Sequence, residues 1–226
     1  MPDPSSHHRR PSKLLRVLIP LLGSDLIDVI GFFSYLARRI LALKAHEGMY
    51  AVLEHESRLE LRDARGHKAV LYKQQKVRFL QDHISAYQDQ AWGDGEIFAD
   101  YRCSPGVAVD RYREGHRYRV LISLRQTKHR GDIEEFRIER TIKGGFTKAV
   151  EDFQTEIDHH TRRLSMSVVF PRQRPPKRVM LIEQNTTRTR VLGPDHRHML
   201  PDGRQQVKWS TDKPRLFEGY ILRWEW

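Results

Sequence analysis

Hydrophobic positions follow two different periods along this chain. Between residues 25 and 44 apolar side chains cover most of the circumference of one predicted helix. Ser24 can cap this helix, and Asp25 and Asp28 lie in its first turn, where the helix dipole favours acidic groups. From residue 49 onward apolar and polar residues alternate, which is the period of a strand with one buried face. The pattern therefore predicts one N-terminal helix followed by strands.

The first 45 residues divide into a tail and a hydrophobic segment. Residues 1–13 are rich in proline, serine and basic residues and predict a disordered tail, and residues 14–45 form the hydrophobic helical segment. A helix that is apolar on nearly all sides must be covered by a membrane, by a second copy of the chain or by the protein's own body. Asp25 and Asp28 weigh against a membrane span. The residues predicted to meet a membrane or a second copy are Leu26, Ile30, Phe33, Leu36 and Ile40.

Residues 46–226 are predicted to form a β body. Turn signals separate the strongly alternating segments, and no helical crossovers lie between them, which favours an antiparallel β-sandwich or barrel. A turn at 129–132 is predicted to join two strands as a hairpin, and a domain boundary could fall within 103–115. The clearest alternating segments are 47–61, 69–81, 116–126, 133–142, 163–171, 178–184, 203–210 and 216–226.

The last strand ends in two tryptophans. Alternation places four of its residues on one face, namely Tyr220, Leu222, Trp224 and Trp226. We expect this face to be buried, which would hold down a terminus that would otherwise fray. Segment 203–210, which carries Val207 and Trp209, is the expected neighbour.

Charge singles out one loop. The chain has a net charge of +11, and its last 66 residues carry 14 basic residues against 6 acidic ones. Three prolines stiffen the loop PRQRPPKR at 171–178, so its basic residues could meet an anion at a low entropic cost. They are Arg172, Arg174, Lys177 and Arg178. A solvated turn is the simpler interpretation of the same charges.

Candidate catalytic and metal-binding groups are weak. Asp94, Glu96 and Asp100 stand close together, but they do not match a calcium loop, and the glycines around Asp94 favour a hairpin turn. The histidine pairs at 159–160 and 196–198 lack the further ligands that a zinc site needs. The sequence holds no His-Glu-x-x-His, no nucleophile elbow and no phosphate-binding loop. We therefore predict no catalytic residue, no metal and no cofactor.

These observations predict a non-enzymatic interaction module. Its β body would bind a protein or an anionic ligand, while the helix would oligomerise the chain or tether it to a membrane. The alternatives are nucleic-acid binding through the basic C-terminal third and an enzyme whose site has no recognised motif. A single cysteine and the lack of a secretory signal predict a cytoplasmic location, with membrane association through the helix as the variant.

Overall fold

A computed structural model describes residues 49–226, and fourteen strands account for most of them. The predicted tail, the predicted helix and its five contact residues (Leu26, Ile30, Phe33, Leu36 and Ile40) lie outside the described residues. The strands are β1 (Tyr50–Leu61), β2 (Lys68–Phe79), β3 (Ile84–Ala91), β4 (Glu96–Ser104), β5 (Val107–Glu114), β6 (Arg117–Lys128), β7 (Ile133–Lys143), β8 (Val150–Glu156), β9 (Leu164–Phe170), β10 (Arg178–Glu183), β11 (Arg188–Val191), β12 (Arg197–Met199), β13 (Gln205–Thr211) and β14 (Gly219–Glu225), with a short 3₁₀ helix at Pro194–His196.

The strands form three open sheets. A seven-stranded sheet has the order β12-β13-β9-β1-β2-β7-β4, a four-stranded sheet the order β11-β10-β14-β8, and a three-stranded sheet the order β3-β6-β5. The prediction of a mainly β body is confirmed. The barrel alternative is wrong, because none of the three described sheets closes on itself. The sheets are also not wholly antiparallel, since β1 and β9 run parallel.

Both small sheets cover the same face of the large sheet. Leu59 of β1 shares one hydrophobic cluster with Leu181 and Trp224 of the four-stranded sheet. Phe136 of β7 shares a second cluster with Ile122 of the three-stranded sheet. The large sheet therefore has two separate cores on one face, one beneath each small sheet.

Two predicted strand neighbours are wrong. The chain turns near residues 129–132, as predicted, but β6 enters the three-stranded sheet while β7 pairs with β2 and β4. The C-terminal β14 pairs with β10 and β8, and not with β13. Trp209 of β13 nevertheless contacts Tyr220 of β14, with ring centroids 5.1 Å apart. The contact therefore joins two different sheets, since β13 belongs to the seven-stranded sheet and β14 to the four-stranded sheet.

The burial of the C-terminal strand follows the predicted alternation. Tyr220, Leu222, Trp224 and Trp226 are all buried, and Trp224 is fully enclosed. The stretch proposed as a boundary, 103–115, holds the end of β4 and all of β5, whose residues are exposed along the edge of the three-stranded sheet. Within residues 49–226, no helix reaches the length and hydrophobicity that crossing a bilayer requires.

Candidate functional site: a polar band between two hydrophobic cores

A cavity of about 370 Å³ opens where the two cores meet. Its floor is the inner face of β1, β2 and β7 in the seven-stranded sheet, and its opposite wall is β8 of the four-stranded sheet. The β3–β4 turn and the loop before β8 complete the rim, with Trp92, Asp94, Phe146 and Lys148. Ligand-binding cavities in proteins typically span about 300–1,000 Å³. This cavity therefore has room for a small organic molecule.

Polar residues interrupt the inward alternation of three neighbouring strands, and the one in β7 is offset by one inward position from those in β1 and β2. In β1 the inward residues before Leu59 are His55 and Ser57, and in β2 they are Gln75 and Lys73. Register pairs His55 with Gln75 and Ser57 with Lys73. Arg140 takes an inward position of β7, opposite Leu71. The result is a polar band that crosses the sheet between the two apolar cores.

One half of the band is a directed chain of hydrogen bonds. The Tyr87 hydroxyl donates to Oε1 of Gln75, and Nε2 of Gln75 donates to Nδ1 of His55 at 3.2 Å. The neutral imidazole then carries its proton on Nε2 and donates it to Oγ of Ser57 at 2.9 Å. Burial, followed by the positive charge of Lys73, holds the pKa of His55 well below its usual value. His55 is thus a donor to Ser57, not a base, and the Ser57 hydroxyl keeps its own proton for a further acceptor.

The other half of the band carries buried charge. Nζ of Lys73 lies 2.8 Å from Oδ1 of Asp89, and the Tyr101 hydroxyl donates to Oδ2 of the same carboxylate at 3.1 Å. Arg140 has no such partner: its residue is 9% exposed, and its Nε and Nη1 atoms are buried without a hydrogen bond. Burial lowers the pKa of the Arg140 guanidinium, and the Asp89 carboxylate opposes this shift. Because Asp89 neutralises Lys73, the band keeps about one unit of positive charge at Arg140.

The facing wall carries a buried carboxylate. Glu151 lies on the inward face of β8 with Phe153 and Thr155, and it is 6% exposed. Its Oε1 accepts a hydrogen bond from the backbone N–H of Lys148, whose Nζ is paired with Asp94. Burial raises the pKa of the Glu151 carboxyl group above its ordinary value, and the hydrogen bond from Lys148 opposes this shift. Arg140 and Glu151 line one cavity from opposite layers, and they do not form an ion pair with each other.

The basic loop predicted to bind an anion lies away from this cavity. Arg172, Lys177 and Arg178 are exposed. The guanidinium of Arg174 packs over the ring of Trp226 and donates to the Ala64 carbonyl. One of the four predicted contacts therefore supports the C-terminal strand, and anion binding by the other three stays a prediction.

The acidic turn holds three separate ion pairs instead of a cation site. Asp94 pairs with Lys148, Glu96 lies 3.8 Å from Lys143, and Asp100 lies 3.1 Å from Arg102. The turn joins β3 to β4, which belong to different sheets, so it is not the predicted hairpin. Within the part of the chain that the structure describes, no three His, Cys, Asp or Glu side chains are arranged to hold a metal ion.

The similar solved structures include peptidases. A two-domain M1 zinc metallopeptidase bound to L-tryptophan aligns over 77% of this chain and 42% of its own, with 9% identity and a TM-score of 0.48. An M1 zinc metallopeptidase from Deinococcus radiodurans gives the same coverage, identity and TM-score. Aminopeptidase A from Legionella pneumophila aligns over 76% of this chain and 21% of its own, with 13% identity and a TM-score of 0.42. This chain therefore spans less than half the length of the chains it resembles.

No protein-family model and no curated protein matches this sequence. The prediction of a non-catalytic interaction module is contradicted by the comparison with solved structures, because the similar proteins are peptidases. The names of the M1 metallopeptidases specify zinc. Among residues 49–226 of this chain, no group of three His, Cys, Asp or Glu side chains is placed to bind a metal ion.

The sequence carried a signal for the polar band that the prediction missed. In β7 the inward positions are Phe136, Ile138, Arg140 and Ile142, so Arg140 interrupts an apolar series. In β2 the polar residues Lys73 and Gln75 interrupt the apolar inward series in the same way. Charged residues at inward positions of a strand are uncommon and costly, and they mark a candidate site when neighbouring strands share them. That the three strands are neighbours is visible only in the folded sheet.

Proposed function

We propose that residues 49–226 form the substrate-binding domain of an enzyme, and that the central cavity holds a small organic molecule by its carboxylate group. The observation that carries the proposal is Arg140, a residue of the cavity wall whose Nε and Nη1 atoms are buried without a hydrogen bond. An unpaired buried charge costs several kcal/mol. Buried groups with perturbed pKa values inside a cavity are typical of functional sites.

The donors around Arg140 suit a carboxylate. A guanidinium group presents parallel N–H donors that match the two oxygens of a carboxylate. The Ser57 hydroxyl lines the same cavity and keeps its own proton to donate, because His55 already donates to its oxygen. The band carries about one unit of net positive charge, which a singly charged carboxylate neutralises and a phosphate dianion would exceed.

The remaining walls suit an organic group. Leu59, Ile97 and Phe146 line the same cavity and belong to one hydrophobic cluster. An alkyl or aryl chain attached to the carboxylate would contact these side chains, and burial contributes about 0.8 kcal/mol for each methylene group. This arrangement of an apolar cavity with a few convergent polar groups is the usual form of a small-molecule site.

Calorimetric titration of the full chain tests the proposal. The ligands are hexanoate, its neutral analogue hexanamide, and inorganic phosphate. We expect hexanoate to bind at least about tenfold more tightly than hexanamide, which corresponds to about 1.4 kcal/mol. Arg140→Met should abolish this difference.

A matched control is available on the same strand. Arg137 lies on the outer face of β7 and pairs with Glu135, so Arg137→Met removes the same charge without altering the cavity. Hexanoate affinity should be unchanged in this variant. Equal binding of hexanoate and hexanamide, unchanged binding in Arg140→Met, or tighter binding of phosphate than of hexanoate would overturn the proposal.

A further inference from the structure

The cavity has a second unbalanced charge, and it lies on the wall that faces Arg140. Glu151 is buried on the inner face of β8, where its register partner on β14 is Trp224. A single backbone N–H donates to one of its oxygens, and the ammonium group of the donating residue, Lys148, is engaged with Asp94. The Glu151 carboxylate therefore has capacity for another donor.

Arg140 and Glu151 are complementary groups that do not meet. They project from layers that pack roughly 10 Å apart, and the open volume of the cavity lies between them. If the fold required only neutralisation of these charges, a direct ion pair would supply it. Instead each charged residue lines the cavity and has hydrogen-bonding capacity that the protein does not use.

We infer that the ligand of this cavity is a zwitterion, whose carboxylate contacts Arg140 and whose ammonium group contacts Glu151. This inference rests on the proposed carboxylate site and adds the second charged group of the ligand. A molecule of this kind neutralises both walls at once, and its hydrocarbon part spans the apolar residues between them. Recognition through a buried carboxylate also selects a charged amine over a neutral group of similar size, since a neutral group would leave Glu151 uncompensated.

A series of ω-amino acids measures both the requirement for an amine and the separation of the two charges. The probes are 4-aminobutyrate, 6-aminohexanoate and 8-aminooctanoate, each compared with butyrate, hexanoate or octanoate. We expect one member of the series to bind the full chain at least about tenfold more tightly than its unaminated counterpart, while the shorter or longer members gain less. The length of that member reports the distance between the two walls.

Two variants separate the contributions of the two walls. Glu151→Gln keeps an oxygen that can accept the Lys148 N–H, so the β8 wall should remain folded. In this variant the gain from the amine should disappear while carboxylate binding persists. Arg140→Met should weaken the binding of both the ω-amino acids and the unaminated carboxylates. The control is Glu139→Gln, which removes a carboxylate from the outer face of β7 and should change neither affinity.

The outcomes distinguish this inference from the proposed function. If hexanoate binds and no ω-amino acid binds better than its unaminated counterpart, the inference of a zwitterionic ligand is wrong and the proposed carboxylate site stands. An amine gain that survives Glu151→Gln also overturns the inference, because another group must then hold the ammonium. If neither class of ligand binds, the proposed function fails and the inference fails with it.

Discussion

The guanidinium carbon of Arg174 lies 4.0 Å from the centre of the Trp226 ring. Nη1 of the same side chain donates to the Ala64 carbonyl at 3.0 Å, so Arg174 connects the loop after β9, the loop after β1 and the end of the chain. A residue that the sequence suggested as an anion contact thus contributes to the packing of the C-terminus. Its cation–π contact explains why a basic side chain stands in this loop beside a buried tryptophan.

Replacing Arg174 should lower stability, unlike replacing its exposed neighbour. We expect Arg174→Ala to reduce the free energy of unfolding by about 1–2 kcal/mol, through loss of the cation–π contact and the hydrogen bond. Lys177→Ala should leave stability unchanged, since the Lys177 side chain is exposed and its backbone N–H, which donates to the Glu225 carbonyl, is retained. Urea denaturation measures both variants. Equal effects would contradict the structural role of Arg174.

Removing the last three residues should impair folding. Trp224 is fully buried between Phe146 and Phe170, and Trp226 contacts Phe170 edge-on. Truncating one buried tryptophan to alanine costs about 3–5 kcal/mol, a large part of the stability of a domain. A chain ending at Arg223 should therefore melt at a much lower temperature or aggregate. Unchanged thermal unfolding, followed by circular dichroism, would show that the terminal strand is not part of the core.

The unpaired charge of Arg140 should cost stability in the ligand-free protein. Replacing a buried charge with an apolar side chain of similar length is often neutral or stabilising. We expect Arg140→Met to melt at or above the temperature of the unmodified chain, although the variant loses carboxylate binding. This combination separates a functional role from a structural one. A clear fall in melting temperature would indicate that Arg140 supports the fold.

The buried His55 should make stability depend on pH. Burial lowers the pKa of His55 in the folded state, so below the unfolded-state value of about 6.5 the unfolded chain binds a proton that the folded chain does not. Stability should therefore fall as the pH drops below about 6.5. The contribution of this one group approaches about 1.4 kcal/mol per pH unit. Above that pH, His55 should contribute no dependence of stability on pH.

A pair of histidine variants isolates this contribution. His55→Gln should flatten the dependence of unfolding free energy on pH between about 5 and 6.5. His198→Gln changes an exposed histidine of β12 and should leave the dependence as it is. Urea denaturation at several pH values measures the slopes. The same slope in all three proteins would mean that His55 becomes protonated without unfolding the chain.

Much of the β body was readable from alternation, because a strand with one buried face repeats every two residues wherever it lies. The strands β2, β6, β7, β9, β10, β13 and β14 coincide closely with the alternating segments of the sequence. The edge strand β5 was missed because its residues are exposed on both sides, so it has no apolar face to show. Strand pairing was harder to predict, since alternation specifies the face that a residue occupies and not the strand beside it.

The sequence by itself determined that residues 49–226 are mainly β and that the C-terminal tryptophans are buried, because both follow from local alternation of apolar side chains. Only the tertiary structure decided that Ser57, Lys73 and Arg140 line one cavity from three neighbouring strands of one sheet, and that Glu151 faces them from another layer. These residues are far apart in sequence. Their neighbourhood depends on which strands pair and which faces stack, and these are long-range relationships that no local pattern encodes.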